Sequence, residues 1–282
     1  MAFWGDYHTH TKYSHGKGTV LDNAEAAARK GLKQIAITDH GLSHVLFGIK
    51  RKELPLLRRD CEYATVHTGV LVLAGIENNV NSFDGTFDLR PEDIAMLDII
   101  QGAYHKAGRA PTLKQQFTYQ FANFYRSMRK SSPRSLIVRN TDSYLALLDK
   151  YDVDFLGHLN RDIRVDALTV ARYAKEKGTY IELNGKRMSL TDKEIEKMAE
   201  EGVNFVCNSD AHTPEKVGDM GLGLAAVERL HIPYELIGNW EKFPKFRSSN
   251  YQRAVVSHIC DQAAAGLSEL DSSGIIGTDD ND

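Results

Sequence analysis

A closed α/β barrel of parallel strands, with its working groups gathered at the C-terminal mouth, is the fold class this sequence predicts. Three observations carry that expectation. Seven short apolar runs of β type alternate with helix-type stretches over most of the 282 residues, which implies parallel strands joined by right-handed crossovers. The runs are nearly continuous in apolar character, as strands covered on both faces require. No Gly-x-Gly-x-x-Gly follows the first run, so the dinucleotide-binding form of the competing open, doubly wound sheet loses support. Seven strands rather than eight make the barrel an irregular one.

The first run is AFWGDYH (2–8). After it, TVLDNAEAAARKG reads as a helix that Thr19 caps with Asp22 three residues on, that alanines fill, and that Gly31 stops. QIAITDH (34–40), VLVLAGIEN (70–78) and LDIIQGAYH (97–105) supply strands two to four. VDFLGHLN (153–160) is the fifth, followed by a helix in DALTVARYAKEKG (166–178). TYIELNG (179–185) is the sixth, and LTDKEIEKMAEEG (190–202) repeats the first helix's design with Thr191 as N-cap, Glu194 three residues on and Gly202 at the end. VNFVCNSDAH (203–212) closes the set.

Two segments break the alternation. From Lys106 to Arg139 there are eight Lys/Arg and no Asp/Glu, with Phe117, Tyr119, Phe121, Phe124 and Tyr125 interleaved. This predicts an insertion at about 106–139 that includes a helix from about Leu113 to Lys130. Two readings stand open: a surface helix whose aromatic side packs on the barrel, or a basic lid over an anionic substrate. The barrel itself is expected over 1–240, with a C-terminal helical extension at 241–265. The acidic tail 266–282 carries five acids and no base and is expected to be disordered.

Composition excludes several classes. With 42% hydrophobic residues, 26% charged and a net charge of −3, the chain reads as an ordinary globular protein with no global field for nucleic acid or membrane. It has no apolar run long enough to span a bilayer, and its start lacks the basic flank and apolar core of a secretory signal. Cys61, Cys207 and Cys260 have no paired spacing, Cys207 being expected in the core, and a reducing cytoplasm is the expected location.

The polar residues fall where such a barrel keeps its chemistry. Strand ends deliver His8 and His10, then Asp39 and His40, Glu77, His105, His158, Glu182 and Asn184, and Asp210 and His212. Any one of these alone reads as a structural residue. Together with His15, seven imidazoles and two carboxylates in one mouth would suffer desolvation and mutual repulsion without a cation. His8 and His10, at i and i+2, share one face of a strand. A catalytic zinc takes three or four protein ligands and leaves a place for water, so nine ligands suit two or three ions. Asp6 shares the parity of His8 and His10 and is expected deeper in the barrel. Asp39 is expected to hold an imidazole tautomer. His44 reads as a solvated loop residue, with substrate contact as its alternative.

His8-x-His10, His15, ITDHG at 37–41, GIE at 75–77, His105, His158 and SDAH at 209–212 resemble the PHP (polymerase and histidinol phosphatase) family over roughly residues 1–240. The resemblance implies a distorted (β/α)7 barrel, a trinuclear centre of zinc, manganese or iron, and phosphoesterase chemistry. Carried over by position, it gives one metal His8, His10, Glu77 and Asp210. A second metal shares Glu77 and adds His105 and His158, and a third takes His15, His40 and His212. His8, His10, Glu77 and Asp210 would then act through a metal-activated water, with no nucleophilic serine or cysteine required. Arg161, Arg187, Lys50 and Arg51 are the candidates for gripping an anionic substrate.

The first expected function is hydrolysis of a small phosphomonoester, with histidinol phosphate as the family's leading candidate. A nuclease or nucleotide phosphodiesterase, stacking bases on the insertion, is the alternative. A metal-binding regulatory module without turnover is the third. A small phosphorylated substrate is the expected partner, with nucleic acid second and no membrane; the oligomeric state is left open.

Overall fold

Seven parallel strands pair in sequence order: β1 (Gly5–Thr9), β2 (Gln34–His40), β3 (Leu71–Asn79), β4 (Ile99–Ala103), β5 (Phe155–Leu156), β6 (Tyr180–Asn184) and β7 (Phe205–Asn208). The computed structural model describes residues 2–129 and 131–273. A parallel bridge between Thr9 and Ala211 brings the last strand back to the first, with the His10 amide donating to the Ala211 carbonyl at 2.8 Å. Lower on the same seam, Asn239 Nδ2 donates to the carbonyls of Gly5 (2.8 Å) and Cys207 (2.6 Å). The chain is an irregular (β/α)7 barrel, as the alternation of runs predicts.

Helices α1 (Val20–Arg29), α2 (Leu54–Thr68) and α3 (Pro91–Ile94) follow the first three strands. A long excursion follows β4. It consists of the turn α4 (Leu113–Gln115), a π-helical stretch Gln116–Phe121, α5 (Ala122–Met128) and α6 (Arg134–Lys150). Helices α7 (Ala167–Lys177), α8 (Asp192–Glu200) and α9 (Gly221–Arg229) follow β5, β6 and β7, and α10 (Ser249–Ser273) comes last. The expected caps form. Thr19 Oγ1 accepts from the Asp22 amide while the Asp22 carboxylate accepts from the Thr19 amide. Thr191 and Glu194 make the same reciprocal pair on α8. These pairs satisfy amides that a helix start leaves without partners.

Two apolar cores result. The larger lies between the helices and the outer faces of the strands. The smaller takes Tyr7, Ala36, Leu71, Leu73, Ile99, Phe155, Tyr180 and Val206, at least one from each strand, and so fills the barrel's interior. Phe246 and Tyr251, from the segment after the barrel, plug it from below. That segment is anchored by Asp154, whose carboxylate accepts from the Ser248 amide and hydroxyl and from the Ile100 amide.

The excursion after β4 departs from one of its expected readings. Tyr119 is buried against Phe83 and Tyr104, but Phe117, Phe121, Phe124 and Tyr125 stay exposed, so the aromatic side as a whole does not pack on the barrel. The end of the chain departs too. Helix α10 carries the backbone through residue 273, so part of the stretch expected to lack structure is helical, since extending a formed helix fixes one residue per hydrogen bond. Residues 274–282 of that tail lie outside the described residues. Among the described residues, no helix is long and apolar enough to cross a membrane.

Candidate metal centre

Strand parity builds the site in layers above the interior core. Two residues up from Leu73, Ile99, Tyr180 and Val206 stand Gly75, Gln101, Glu182 and Asn208; two further on β3 and β6 stand Glu77 and Asn184, and Asp210 lies two residues past the end of β7. Period-two alternation thus turns an apolar floor into a polar mouth. Strand β1 reaches the same mouth by breaking the period. Asp6 pairs with Ile35 but Thr9 with Ile37, a bulge that re-aims the intervening side chains. Tyr7 therefore faces the interior while His8 still enters the site. Asp6, expected deeper in the barrel, instead accepts from the Ser209 amide (3.0 Å) and hydroxyl and from the Gly218 amide (2.8 Å). It ties β1 to the segment that carries Asp210.

Two candidate ligands sit on strained backbone. His158 has φ 32° and Asp210 φ 52°, in the left-handed region that costs a non-glycine residue free energy and marks functional positions. Gly157, just before His158, has a separate necessity: a Cβ there would lie 2.4 Å from Gln101 Nε2, and that amide donates to Glu77 Oε1 at 3.2 Å.

Glu77 lies at the centre. Its Oε1 is 2.6 Å from His158 Nε2 and 3.3 Å from His8 Nε2. Its Oε2 is 2.8 Å from His40 Nδ1, 3.3 Å from His105 Nε2 and 3.7 Å from His10 Nε2. Asp210 Oδ1 lies 3.5 Å from His10 Nε2, 3.9 Å from His8 Nε2 and 3.4 Å from His212 Nδ1. Around these stand groups that orient the rings: Glu182 Oε1 at 2.7 Å from His8 Nδ1 and Asn79 Oδ1 at 2.7 Å from His105 Nδ1.

The electrostatics follow from this crowding. Burial disfavours charge on His8, yet the carboxylates of Glu182, Glu77 and Asp210 hold its pKa well above the usual imidazole value. Burial drives His10 well below it. Burial also opposes ionisation of Glu77 and Asp210, but the imidazoles around them keep both well below the ordinary carboxylate range. Both carboxylates are anionic at neutral pH.

The residues fit divalent metal ions. Both ring nitrogens of His10, His40 Nδ1 and Glu77 Oε2 are buried with no hydrogen-bond partner among the described residues, although His40 Nδ1 and Glu77 Oε2 are only 2.8 Å apart. Unpaired buried polar atoms are costly, and these are imidazole and carboxylate donors of the kind divalent metals take. Four overlapping triads bring their ligand atoms within 4.8 Å of one another: His8–His10–Asp210, His8–Glu77–His158, His40–Glu77–His105 and His10–His40–His212.

A family model described as "PHP domain" matches residues 6–201. The chain belongs to the PHP domain family. Relatives of the PHP chain include a protein of Acetivibrio thermocellus named "Probable phosphatase", 28% identical over 268 residues, which span 90% of this chain and 98% of the relative. Another bearing that name, from Clostridium novyi, is 30% identical over 258 residues, spanning 86% of this chain and 92% of its own. Among solved structures, the histidinol phosphate phosphatase of Lactococcus lactis, complexed with zinc, L-histidinol and phosphate, has the same fold. Its TM-score is 0.52 at 11% identity, covering 81% of this chain and 94% of that one.

The candidate ligands of the PHP chain lie near one another in groups other than the partition carried over by position: His158 and His8 approach Glu77 Oε1, while His105 and His40 approach Oε2. His15 stacks on His40 with centroids 4.8 Å apart and lies 4.3 Å from the His212 ring. It borders the cluster without entering a triad. Among the described residues, Asp39 holds no imidazole. Adjacent to His40 and of opposite parity, it accepts from the Thr11 amide and hydroxyl and from the Ser14 hydroxyl, fixing the loop that carries His15. His44, expected in solvent, is 8% exposed and stacked on His40 at 4.6 Å.

Of the basic residues, Arg161 reaches the centre, with Nη1 3.2 Å from Asp210 Oδ2. Arg187 lines a neighbouring cavity. Lys50 is exposed beside Glu53, in a groove that also contains Thr11 and Ser14. Arg51 is not brought to the site: its Nε donates to both carboxylate oxygens of Asp93 at 3.0 and 3.1 Å, and its Nη2 to the Asp88 carbonyl. A charge near a strand end is as free to turn along the barrel wall as into the mouth. Two residues near the centre escaped the sequence reading. Lys186 places Nζ 3.0 Å from His212 Nδ1 and 3.7 Å from Asp210 Oδ1. Gln101 has a legible signal, a lone amide in the apolar run DIIQGAY.

Proposed function

We propose that this PHP protein is a metal-dependent phosphoesterase that hydrolyses a small-molecule phosphomonoester with two or three divalent ions (zinc, manganese or iron) as cofactors. One observation carries the reading: two buried anionic carboxylates, Glu77 and Asp210, meet six imidazoles whose ring nitrogens and carboxylate oxygens are in part without other partners. His8, His10, His40, Glu77, His105, His158, Asp210 and His212 would hold the ions, with His15 at the margin. Bound divalent cations supply Lewis-acid activation of water and neutralise charge on the phosphoryl oxygens.

The chain's own groups do the rest. Glu182 fixes the His8 ring so that Nε2 faces Glu77 and Asp210. Arg161 and Lys186 flank Asp210 with cationic donors, where an anionic phosphate entering the mouth would be held and oriented. Histidinol phosphate is a candidate through the Lactococcus lactis fold neighbour, which binds L-histidinol and phosphate.

The test is phosphate release from a panel of phosphomonoesters, including histidinol phosphate, together with nucleotides and single-stranded oligonucleotides, in Mn2+ or Zn2+. Metal analysis of the purified protein accompanies it. Two or three ions per chain and turnover of monoesters support the reading, with Asp210→Ala abolishing activity while the fold survives. One ion or none, or an active Asp210→Ala variant, overturns it. Preference for oligonucleotides would instead favour a nuclease, a reading supported by the exposed Phe117, Phe121, Phe124 and Tyr125 on a basic segment.

A further inference from the structure

Beside the candidate metal centre lies a cavity of about 280 Å³, walled by α5 and the residues just after it and by the loops after β4, β5 and β6. Its lining includes five cationic side chains, Lys106, Arg126, Arg161, Arg164 and Arg187, against a single acid, Asp162. That acid is already taken, since Lys106 Nζ lies 2.9 Å from it. Arg126, Arg164 and Arg187 have no carboxylate within 4.0 Å among the described residues. The excess does not mirror the composition, for the chain holds 38 acids to 35 bases and yet places one acid here. Guanidinium groups sharing a concavity repel one another unless an anion comes between them, and their planar forks match carboxylate and phosphate.

Arg161 is common to the cavity and the candidate metal centre: it lines the first while its Nη1 sits 3.2 Å from Asp210 Oδ2 in the second. One wall is α5, so the basic insertion reaches this cavity through Arg126, even though most of its aromatic residues stay in solvent.

We propose that this cavity is a second anion subsite. The substrate is a phosphomonoester whose leaving group carries a further carboxylate or phosphate, held by Arg126, Arg164 and Arg187 while the scissile phosphate lies at the metal ligands. The inference rests on the phosphomonoesterase reading and narrows it. A leaving group bearing a protonated amine, such as histidinol, meets the wrong charge here.

Matched pairs test it on the purified protein with its metals. 3-Phosphoglycerate is compared with glycerol 3-phosphate, and glucose 1,6-bisphosphate with glucose 6-phosphate; the first pair probes a carboxylate and the second a phosphate. The expected result is a kcat/KM at least about tenfold higher for the doubly anionic member of one pair, expressed mainly in KM. Arg126→Ala and Arg164→Ala should each shrink that ratio several-fold, and the double variant should bring it close to one. Equal kcat/KM within both pairs, or a preference that survives the double variant, overturns the subsite while leaving the phosphatase reading intact. A preference for histidinol phosphate over every anionic member, or for a 5′-phosphorylated oligonucleotide over both pairs, overturns it as well. No phosphate release from any compound is the separate failure of the phosphomonoesterase reading, and the subsite falls with it.

Discussion

Glu182 accepts from His8 Nδ1 at 2.7 Å and from the His158 amide at 2.8 Å, so one buried carboxylate fixes the ring of one candidate ligand and the backbone of another. Amides of Asn184 and Asn208 complete its shell at 3.1 Å each. Glu182→Gln keeps the size but replaces one acceptor oxygen by a donor. It should lower metal affinity or kcat/KM by roughly 10- to 100-fold, as loss of such an orienting partner does, while thermal unfolding stays cooperative. Activity within twofold of the parent would mean that His8 is oriented by its own packing. At this scale the sequence was legible wherever strand ends and residue type coincide: His8, His10, His40, Glu77, His105, His158 and Asp210 all stand within a few ångströms of one another. It was not legible for Asp6 and Asp39. A bulge in β1 changes the parity of the first, and for the second the neighbouring loop offered hydroxyls and an amide in place of an imidazole.

The segment leading into α10 hangs on Asp154, a fully buried carboxyl just before β5. Burial pushes its pKa up to about 6 against an ordinary value of 3.8, even though Ser248 and the Ile100 amide hydrogen-bond to it. The folded protein therefore keeps a proton that the unfolded chain releases between those two values. Stability from this group is fully present below about pH 4 and is lost as the pH rises through about 6. Chemical denaturation of the parent and of Asp154→Asn checks it. The parent should lose stability relative to the variant, by on the order of 1–3 kcal/mol, across that window. A difference constant with pH would show that Asp154 is ionised in the folded state throughout. The helices around the barrel were the most legible elements, because Thr19–Asp22 and Thr191–Glu194 are local signals acting over three residues. The excursion after β4 was legible only as a basic, aromatic, helical stretch. Its π-helical stretch has no local signal, and the burial of Tyr119 while Phe117, Phe121, Phe124 and Tyr125 stay exposed depends on Phe83 and Tyr104, which no local pattern foretells.

Across the whole molecule, apolar floor and polar mouth are stacked along one axis, so metal binding and folding share the same strands. Without bound ions, imidazole nitrogens of His10 and His40 and one oxygen of Glu77 are left buried with no hydrogen-bond partner among the described residues. Chelation should therefore lower the thermal midpoint by about 5 °C or more, with recovery when Zn2+ or Mn2+ is restored. A midpoint unmoved by complete metal removal, checked by elemental analysis, would show that the mouth is held by protein contacts alone. The barrel was legible from the seven runs and their spacing. The plugging of its floor by Phe246 and Tyr251 was not, since two aromatics outside any strand pattern carry no sign of where they pack.

The seam between β1 and β7 is stitched above by Thr9 and Ala211 and below by the side chain of Asn239. A ribosome releases Gly5 more than two hundred residues before it releases Asn239. Until then the last strand lacks the side-chain clasp that ties it to the first below the Thr9–Ala211 bridge. Closure of this seam therefore joins the two ends of the barrel's sequence, and its lower clasp forms only after every strand has been made.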